Sequence, residues 1–172
     1  VLADVATRDL SHRFLGMETG SPFGIAPMGM CNLTWPGADM MLARAAAARR
    51  NPVCVSTASS TTLEAMQEVA GGNAWFQLYA DRSAAFTDEL VDRAEAAGYE
   101  LLILTVDVPV LSQRIRDLRN GFKYPFHWGP RQIWDLATHP RWSLATLAAT
   151  IGNGLPRTMN YATSSSGASF ER

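Results

Sequence analysis

Short apolar segments alternate with helix-forming segments along the chain up to residue 106. The apolar segments cover residues 23–30, 52–57, 74–80 and 101–106, and each is short enough to be a strand. Between them lie an alanine-rich stretch at residues 38–50 and two further helical patterns at residues 63–70 and 86–98, which end at Asn-Pro or glycine signals. Single helices between short apolar strands predict right-handed crossovers and a parallel sheet.

The last of these strands, residues 101–106, is so apolar that we expect it to be buried on both faces. Thr105 and Asp107 interrupt the pattern two residues apart, so their side chains are predicted to point to the same side. Arginines and an aspartate follow, beginning at Arg114. By itself this charged cluster is typical of a solvated surface, but after a polar strand end it also suits the rim of a pocket.

Each predicted strand ends in polar or backbone-exposing residues. The second ends at Ser56, the third carries Gln77 and Tyr79 in the same alternating arrangement, and the fourth ends at Thr105. A serine at a strand end is commonly a helix cap, so Ser56 alone decides nothing. Gln77 within an apolar strand is costly to bury without partners, which favours a ligand or a fixed hydrogen-bond network. Because parallel strands present their carboxyl ends at one face, we expect a binding site there.

Two architectures fit this pattern: an open doubly wound sheet, or part of a (β/α)8 barrel. The residues after the first strand, APMGMCNLTWPG, lack the glycine fingerprint of dinucleotide-binding folds. A complete barrel needs about 250 residues, and the four βα steps supply half of one. Residues 123–172 break the pattern, with short helices predicted at residues 132–137 and 142–149 in an otherwise irregular segment that suits a lid. The chain is therefore divided into residues 1–122, with the strands, and residues 123–172, a lid or insertion whose end is expected to be mobile.

The composition narrows the classes of function. A net charge of −1 and a single lysine, Lys123, give no reason to expect nucleic-acid binding. Cys31 and Cys54 are too few for a disulfide framework, and their spacing matches no metal site, so we interpret them as buried thiols. No segment has the length of a transmembrane helix and no signal peptide is visible, which favours a cytoplasmic protein.

Four motifs in order resemble the family of FMN-dependent 2-hydroxy acid oxidases and dehydrogenases, which includes glycolate oxidase, lactate oxidase and (S)-mandelate dehydrogenase. They are GIAPMG, STASSTTLE, WFQLYADR and AGYELLILTVDVPVLSQRIRDLRNGF, and they extend from about residue 20 to residue 122. The HPRW and GLP motifs after them are most similar to the membrane-associated mandelate and L-lactate dehydrogenases. The resemblance implies that the fold is the N-terminal half of a (β/α)8 TIM barrel with a long insertion after its fourth strand.

The resemblance also implies roles for particular residues. The backbone of Pro27, Met28 and Gly29 would lie against the ring of FMN, and polar side chains at three strand ends would hydrogen-bond the edges of that ring: Ser56, Gln77 and Thr105. Three residues are implied to be catalytic: Tyr79, which would also bind the substrate, Asp107, which would tune the active-site base, and Arg114, which would lie near the substrate carboxylate. The implied reaction is oxidation of an (S)-2-hydroxy acid to a 2-oxo acid.

The chain departs from the family pattern in three respects. The family's catalytic histidine, flavin-contacting lysine, main carboxylate-binding arginine and phosphate-binding glycines belong to the second half of the barrel, and the residues matching them are not in this sequence. Ser112, Gln113 and Arg114 stand where the family usually has Gly-Arg-Arg. Ala58 stands where glycolate oxidase has a bulky aromatic residue, so Ala58 is expected to open the substrate pocket to a mandelate-like or lactate-like acid.

Half a barrel leaves open strand edges, so we expect the chain to act with the other half, as a second polypeptide or as the remainder of a longer chain. The family resemblance implies a tetramer, and tryptophans and arginines in residues 123–172 suit contact with the inner face of a membrane. Two other functions remain open: a different FMN-barrel enzyme, such as an isomerase acting on a diphosphate, and a non-catalytic half-barrel used in assembly.

Overall fold

The computed structural model describes residues 6–106, 115–120 and 129–164. In chain order the strands are β1 (His12–Phe14), β2 (Met17–Thr19), β3 (Val53–Ser56), β4 (Ala74–Tyr79) and β5 (Leu102–Thr105). The helices are α1 (Cys31–Thr34), α2 (Ala38–Ala48), α3 (Leu63–Val69), α4 (Ala84–Ala96), α5 (Ile115–Arg119), α6 (Pro130–Thr138), α7 (Pro140–Asn153) and α8 (Met159–Ala162). The predicted alternation of strands and helices is present from β3 to β5.

The central sheet has the strand order β3-β4-β5. β3 and β4 are parallel, with Val53 opposite Ala74 and Ser56 opposite Gln77. Each connection contains one helix, as the sequence predicted. The register places the polar residues that end β3 and β4 side by side.

The first predicted strand, residues 23–30, is reduced to a single parallel bridge between Ile25 and Val53. Ile25 donates its N–H to the Pro52 oxygen and accepts from the Cys54 N–H, both at 2.9 Å. Two prolines stop the ladder, because Pro27 has no N–H for the next bond and Pro52 has none for the previous one. The prediction of a regular strand was wrong here, although the segment lies beside β3 as expected.

Residues 12–19 form an antiparallel hairpin that the sequence pattern did not predict. Leu15 and Gly16 connect its strands with φ values of 49° and 85°, the backbone that suits a two-residue hairpin turn. The hairpin contacts β4 through Trp75, whose indole N–H donates to the Met17 sulfur at 2.8 Å. A Leu-Gly turn between three-residue strands gives too weak a signal for prediction.

One hydrophobic core joins β3 and β4 to helices α2, α3 and α4. Its largest fully buried side chains include Phe76, Phe86, Leu63 and Leu90. Thr62 caps α3 by accepting from the Ala65 N–H, as a threonine before a helix commonly does. This core fixes the positions of the strand ends that carry the candidate site.

The prediction that β5 is buried on both faces was wrong, because its residues are exposed or half-buried. Leu102 is 45% exposed and Leu104 is 54% exposed. Within the part of the chain that the structure describes, no strand pairs with the free side of β5. The apolar composition of β5 was identified correctly, but the neighbours that would cover it are not among the described residues.

The described residues group into two compact units, and the boundary differs from the predicted division at residue 122. The residues up to Leu104, with those from Arg157 onward, form the first unit, and Thr105–Pro156 form the second. The two helices predicted in the insertion are present as α6 and α7, and both are longer than expected. The mobile end predicted for the insertion lies largely outside the described residues, and the assignment of a lid stays a prediction. Across the described ranges, no helix is both long and apolar enough to cross a membrane.

Candidate flavin and substrate site

The centre of the candidate site is a buried pair formed by Ser56 at the end of β3 and Gln77 in β4. The Ser56 hydroxyl donates to the Gln77 side-chain oxygen at 2.9 Å and accepts from the Ala58 N–H at 3.2 Å. Ser56 is 4% exposed and Gln77 is 2% exposed. The pair exists because the parallel register places residues 56 and 77 directly opposite each other. The expected hydrogen-bond network around Gln77 is therefore present.

Thr57 extends this network to Tyr79. Its hydroxyl donates to the Gln77 backbone oxygen at 2.8 Å and accepts from the Tyr79 N–H at 3.0 Å. The side chain of Thr57 is fully buried, whereas Tyr79 is 39% exposed. Thr57 thus fixes the backbone from which Tyr79 projects, a role that the sequence did not indicate.

The segment Pro27–Gly29 lies beside this turn, and all three of its residues are exposed. The next residue, Met30, donates its N–H to the Ala58 oxygen at 2.9 Å, which ties the segment to the turn after β3. A Cβ at Gly29 would lie 3.2 Å from the Ala58 Cβ, a tighter contact than most. Gly29 and Ala58 therefore pack against each other because both are small.

A second set of polar contacts supports the turn from the side of α2, and no sequence pattern predicted these contacts. The Ser59 hydroxyl donates to the buried Asp39 carboxylate at 3.2 Å, and the Ser60 hydroxyl accepts from the Asn32 N–H at 3.3 Å. Asn32 in turn accepts from the Asp39 N–H through its side-chain oxygen at 3.3 Å. These serines looked like ordinary loop residues in the sequence, yet they hold the turn to the first loop.

A third support comes from the far end of the described chain. Asn160 in α8 is fully buried and hydrogen-bonds the turn after β3 and the start of α3. Residues 123–172 had been interpreted as an insertion, so no residue there was expected to contact β3. The sequence signal that could have identified Asn160 is weak, because it is one asparagine in the short segment Thr158–Thr163.

Both cysteines are free and buried in the structure, in agreement with the interpretation of the sequence. Burial raises the pKa of each thiol from 9.0 to about 11, and the nearby Asp39 charge adds to the effect at Cys31. Thiols that stay protonated near neutral pH are poor nucleophiles. Among the described residues, no group of three or more histidines, cysteines or carboxylates could hold a metal ion.

The structure brings most of the predicted cofactor residues together but describes only part of the predicted catalytic set. Pro27, Met28 and Gly29 lie next to the turn that carries Ser56, and Ser56 contacts Gln77. Thr105 ends β5 and belongs to the second compact unit. Two predicted catalytic residues, Asp107 and Arg114, lie outside the described residues.

The family model for FMN-dependent dehydrogenases matches residues 1–170. The chain belongs to this family. The (S)-mandelate dehydrogenase of Pseudomonas putida is 37% identical over 163 residues, which are 95% of this chain and 40% of that protein. A putative L-lactate dehydrogenase of Mycobacterium tuberculosis is 41% identical over 143 residues, which are 83% of this chain and 34% of that protein. The chain thus spans about 40% or less of the length of these relatives.

Solved structures confirm the fold predicted from the sequence. The crystal structure of the monotopic membrane protein (S)-mandelate dehydrogenase superposes with a TM-score of 0.86 at 37% identity, covering 99% of this chain and 44% of that one. A mandelate oxidase variant with an FMN adduct gives a TM-score of 0.66 at 35% identity, covering 76% of this chain and 38% of that one. The described α/β unit corresponds to part of the (β/α)8 barrel of these FMN enzymes.

The residues of this chain fit the polar edge and the flat face of a flavin. A hydroxyl and a carboxamide can each donate and accept, which suits the alternating N–H and C=O groups of the flavin pyrimidine edge. The exposed segment Pro27–Gly29 has no side chain at Gly29, where a Cβ would crowd Ala58. Donors, acceptors and a small flat surface are therefore combined around one turn.

Proposed function

We propose that the protein is an enzyme that uses FMN to oxidise an (S)-2-hydroxy acid, mandelate-like or lactate-like, to the 2-oxo acid. The observation that carries this proposal is the buried Ser56–Gln77 pair beside the exposed residues Pro27–Gly29, in a chain of the FMN-dependent dehydrogenase family. Relatives that are mandelate and L-lactate dehydrogenases support the substrate class. They also favour this reaction over an isomerase or a non-catalytic half-barrel.

In the proposed complex the chain holds FMN through strand ends. Ser56, Gln77 and Thr105 bind the polar edges of the ring, and the backbone of Pro27–Gly29 supports its face. Bound FMN supplies the acceptor for two electrons. The part played by this chain is to fix the ring, since Ser56 and Gln77 already bind each other and need no rearrangement to point together.

The substrate is proposed to lie on the side of Tyr79. Its exposed phenol would hydrogen-bond the carboxylate or hydroxyl of the acid, and Thr57 holds its backbone in place. Arg114 is proposed to stabilise negative charge near the carboxylate, and Asp107 to tune a base that removes a proton from the substrate. Ala58 is proposed to leave room for the substrate side chain, because a methyl group is much smaller than the aromatic residue of glycolate oxidase at this position.

We propose that the base and the phosphate-binding residues come from outside these 172 residues, either from the remainder of a longer chain or from a second polypeptide. The exposed leucines of β5 support this, because Leu102 and Leu104 have no cover among the described residues. Intact mass and a denaturing gel of the natural protein distinguish the two cases. A monodisperse, folded 18.8 kDa species with no partner would contradict both. The tetramer implied by the family is tested by light scattering on the same sample.

We further propose that the second unit contacts the inner face of a membrane, with the rest of the protein in the cytoplasm. The outer face of α7 is apolar: Leu144 is 66% exposed, Leu147 57% and Ile151 79%. Their spacing of three and four residues places them on one side of the helix. On α6, Ile133 and Trp134 are 60% and 69% exposed. A superposable relative is itself a monotopic membrane protein, which supports this location.

Basic residues accompany the apolar face. Arg131 and Arg141 lie at the starts of α6 and α7, and both are exposed. Exposed leucines with nearby arginines suit an interface with anionic lipids. The test is cosedimentation with anionic vesicles of Ile151→Glu, with Val91→Glu as the control, since Val91 is also an exposed apolar residue but lies on α4. Loss of binding by Ile151→Glu alone is expected, and equal binding by both variants would refute the membrane contact.

The reaction is tested by anaerobic addition of (S)-mandelate or L-lactate to the flavin-loaded natural protein. We expect the yellow flavin absorbance to be lost with the S acid and retained with (R)-mandelate. A protein that binds FMN but is reduced by neither acid would refute the proposed substrate class. A protein that binds no FMN would refute the cofactor assignment itself.

A further inference from the structure

The turn after β3 is held from behind by one buried side chain, that of Asn160. Its side-chain oxygen accepts from the Leu63 N–H at 3.0 Å, and its side-chain N–H group donates to the backbone oxygens of Ser56 and Thr57, each at 3.3 Å. The Leu63 N–H has to face the carboxamide oxygen and the two backbone carbonyls have to face the carboxamide NH2 group, so these partners determine the orientation of the Asn160 side chain. A single asparagine thus satisfies three backbone groups of the first compact unit.

The segment that carries Asn160 is itself anchored by its backbone and its neighbours. Met159 donates its N–H to the backbone oxygen of Ser59 at 3.0 Å, and the Arg93 guanidinium donates to the backbone oxygen of Asn160 at 3.3 Å. The ring centroids of Tyr161 and Phe86 lie 4.5 Å apart. Arg93 is fixed in turn by Glu64, which it contacts through two hydrogen bonds of 2.7 and 3.1 Å. These contacts hold the carboxamide rigidly in place.

The two carbonyls that Asn160 binds belong to the residues on which the proposed site depends. Ser56 bears the hydroxyl that contacts Gln77, and Thr57 bears the hydroxyl that contacts the Tyr79 N–H. Asn160 therefore binds the backbone of one residue on the proposed cofactor side, Ser56, and of one residue on the proposed substrate side, Thr57. No other side chain bridges these two carbonyls and the start of α3 among the described residues.

We propose that Asn160 is a positioning residue for the flavin: it fixes the backbone of Ser56 and Thr57, so that the Ser56 hydroxyl and the Gln77 carboxamide meet the ring edge in one geometry. This inference rests on the proposed FMN function. It assigns to the segment after α7 a role in cofactor geometry, whereas the sequence indicated only a lid. The carboxamide acts through the peptide backbone and does not itself need to touch the flavin.

The chain offers a matched control at the opposite end of the same strand. Asn51 is also buried, precedes β3, and accepts from the Ser21 hydroxyl at 2.8 Å through its side-chain oxygen. Asn51→Ala removes a buried asparagine from the amino end of β3, away from Ser56. Asn160→Ala removes one from the carboxyl end. Both variants lose a buried asparagine and are expected to lose stability. Only Asn160→Ala is expected to alter the backbone of the proposed cofactor site.

The experiment measures FMN affinity by flavin fluorescence, together with the visible absorption spectrum of the flavin-saturated natural protein. We expect Asn160→Ala to bind FMN about tenfold more weakly, equivalent to the loss of one to two hydrogen bonds of positioning, and to show a shifted flavin spectrum at saturation. We expect Asn51→Ala to retain both the affinity and the spectrum of the wild type. If Asn160→Ala keeps both while its unfolding midpoint falls, the residue is structural only and the inference is overturned.

Asn160→Asp provides the second variant in case the alanine variant does not fold. A carboxylate facing two carbonyl oxygens loses the donor, whereas a protonated carboxyl restores one. Full burial at this position should raise the pKa of the introduced carboxyl above the usual aspartate value of about 3.9. We therefore expect the FMN affinity of Asn160→Asp, relative to the wild type at the same pH, to recover as the pH falls from about 8 to about 5. A constant ratio across this range would overturn the inference. Failure of the wild type to bind FMN would instead refute the proposed function, and with it the role assigned to Asn160.

Discussion

Replacing Gln77 by methionine separates the role of a buried carboxamide in the cofactor site from its role in stability. Methionine has similar length and flexibility, but its sulfur is a weak acceptor and it has no N–H group. The Ser56 hydroxyl would lose the 2.9 Å contact with its present acceptor, the Gln77 side-chain oxygen. The backbone oxygen of Gln77 would keep its bonds from Thr57. The substitution therefore removes side-chain chemistry without removing the strand pairing.

The expected cost follows from burial. Gln77 and Ser56 are each less than 5% exposed, so water cannot easily replace the lost partner. One unsatisfied buried hydroxyl costs about 1–3 kcal/mol, and we expect the lower part of that range because the Ser56 oxygen still accepts from Ala58. Loss of one hydrogen bond to the ring would cost about 1 kcal/mol of binding, or about fivefold in FMN affinity.

Gln67 is the control, since it is a second buried glutamine with a purely structural environment. Its side chain donates to the Gly98 oxygen at 2.7 Å and accepts from the Ala74 N–H at 3.1 Å. Gln67→Met leaves two backbone groups without that partner, so it should destabilise by about 2–4 kcal/mol without affecting the flavin. Urea unfolding and flavin fluorescence are measured for both variants. Unchanged FMN affinity in Gln77→Met, or a loss that is equal in Gln67→Met, would refute the assignment of Gln77 to the flavin.

Three further predictions concern the substrate pocket and the pH dependence of stability. Ala58→Tyr should lower kcat/KM for (S)-mandelate about tenfold more than for glycolate, because the added ring fills the space beside the substrate; equal losses would contradict that placement. Burial raises the pKa of Glu64, but the hydrogen bonds from Arg93, from its own backbone N–H and from Thr62, together with the Arg93 charge, lower it more, so its folded pKa lies below 4.5. The stabilisation that this gives is present above about pH 4.5 and is lost as the pH falls, so urea midpoints of wild type and Arg93→Met should converge in acid. Because burial raises both thiol pKa values to about 11, Cys31 and Cys54 stay protonated when folded while the unfolded chain ionises near pH 9. The free energy of unfolding should therefore fall between about pH 9 and about pH 11, and it should fall less steeply in the Cys31→Ala/Cys54→Ala variant. Equal slopes in the wild type and the variant would contradict this prediction.

The family and the centre of the site could be predicted from sequence because they depend on local patterns. A glutamine within an apolar strand and a serine at a strand end can be recognised from the sequence alone, and the parallel register then places Ser56 opposite Gln77. The fold class followed from alternating strand and helix patterns for the same reason. Thr105 shows the limit of that approach: its position at the end of a strand was correct, yet its function depends on neighbours that the sequence does not specify.

The contacts that support the site could not be predicted because they join distant parts of the chain. Asn160 lies more than 100 residues from Ser56, and nothing in the composition around it indicates burial. Asp39 was part of an alanine-rich helix and gave no sign of its contact with Ser59. The exposure of β5 has a similar origin, because apolar composition predicts that a strand will be covered but does not say by which residues.

A high-resolution structure of the natural protein with FMN bound would show directly whether the ends of β3 and β4 hold the flavin. We predict that the Ser56 hydroxyl and the Gln77 carboxamide both lie within hydrogen-bond distance, about 3 Å, of the flavin pyrimidine edge, with the backbone of Pro27–Gly29 against the ring face. A flavin bound elsewhere, or one whose edge is separated from both side chains by more than about 5 Å, would contradict it.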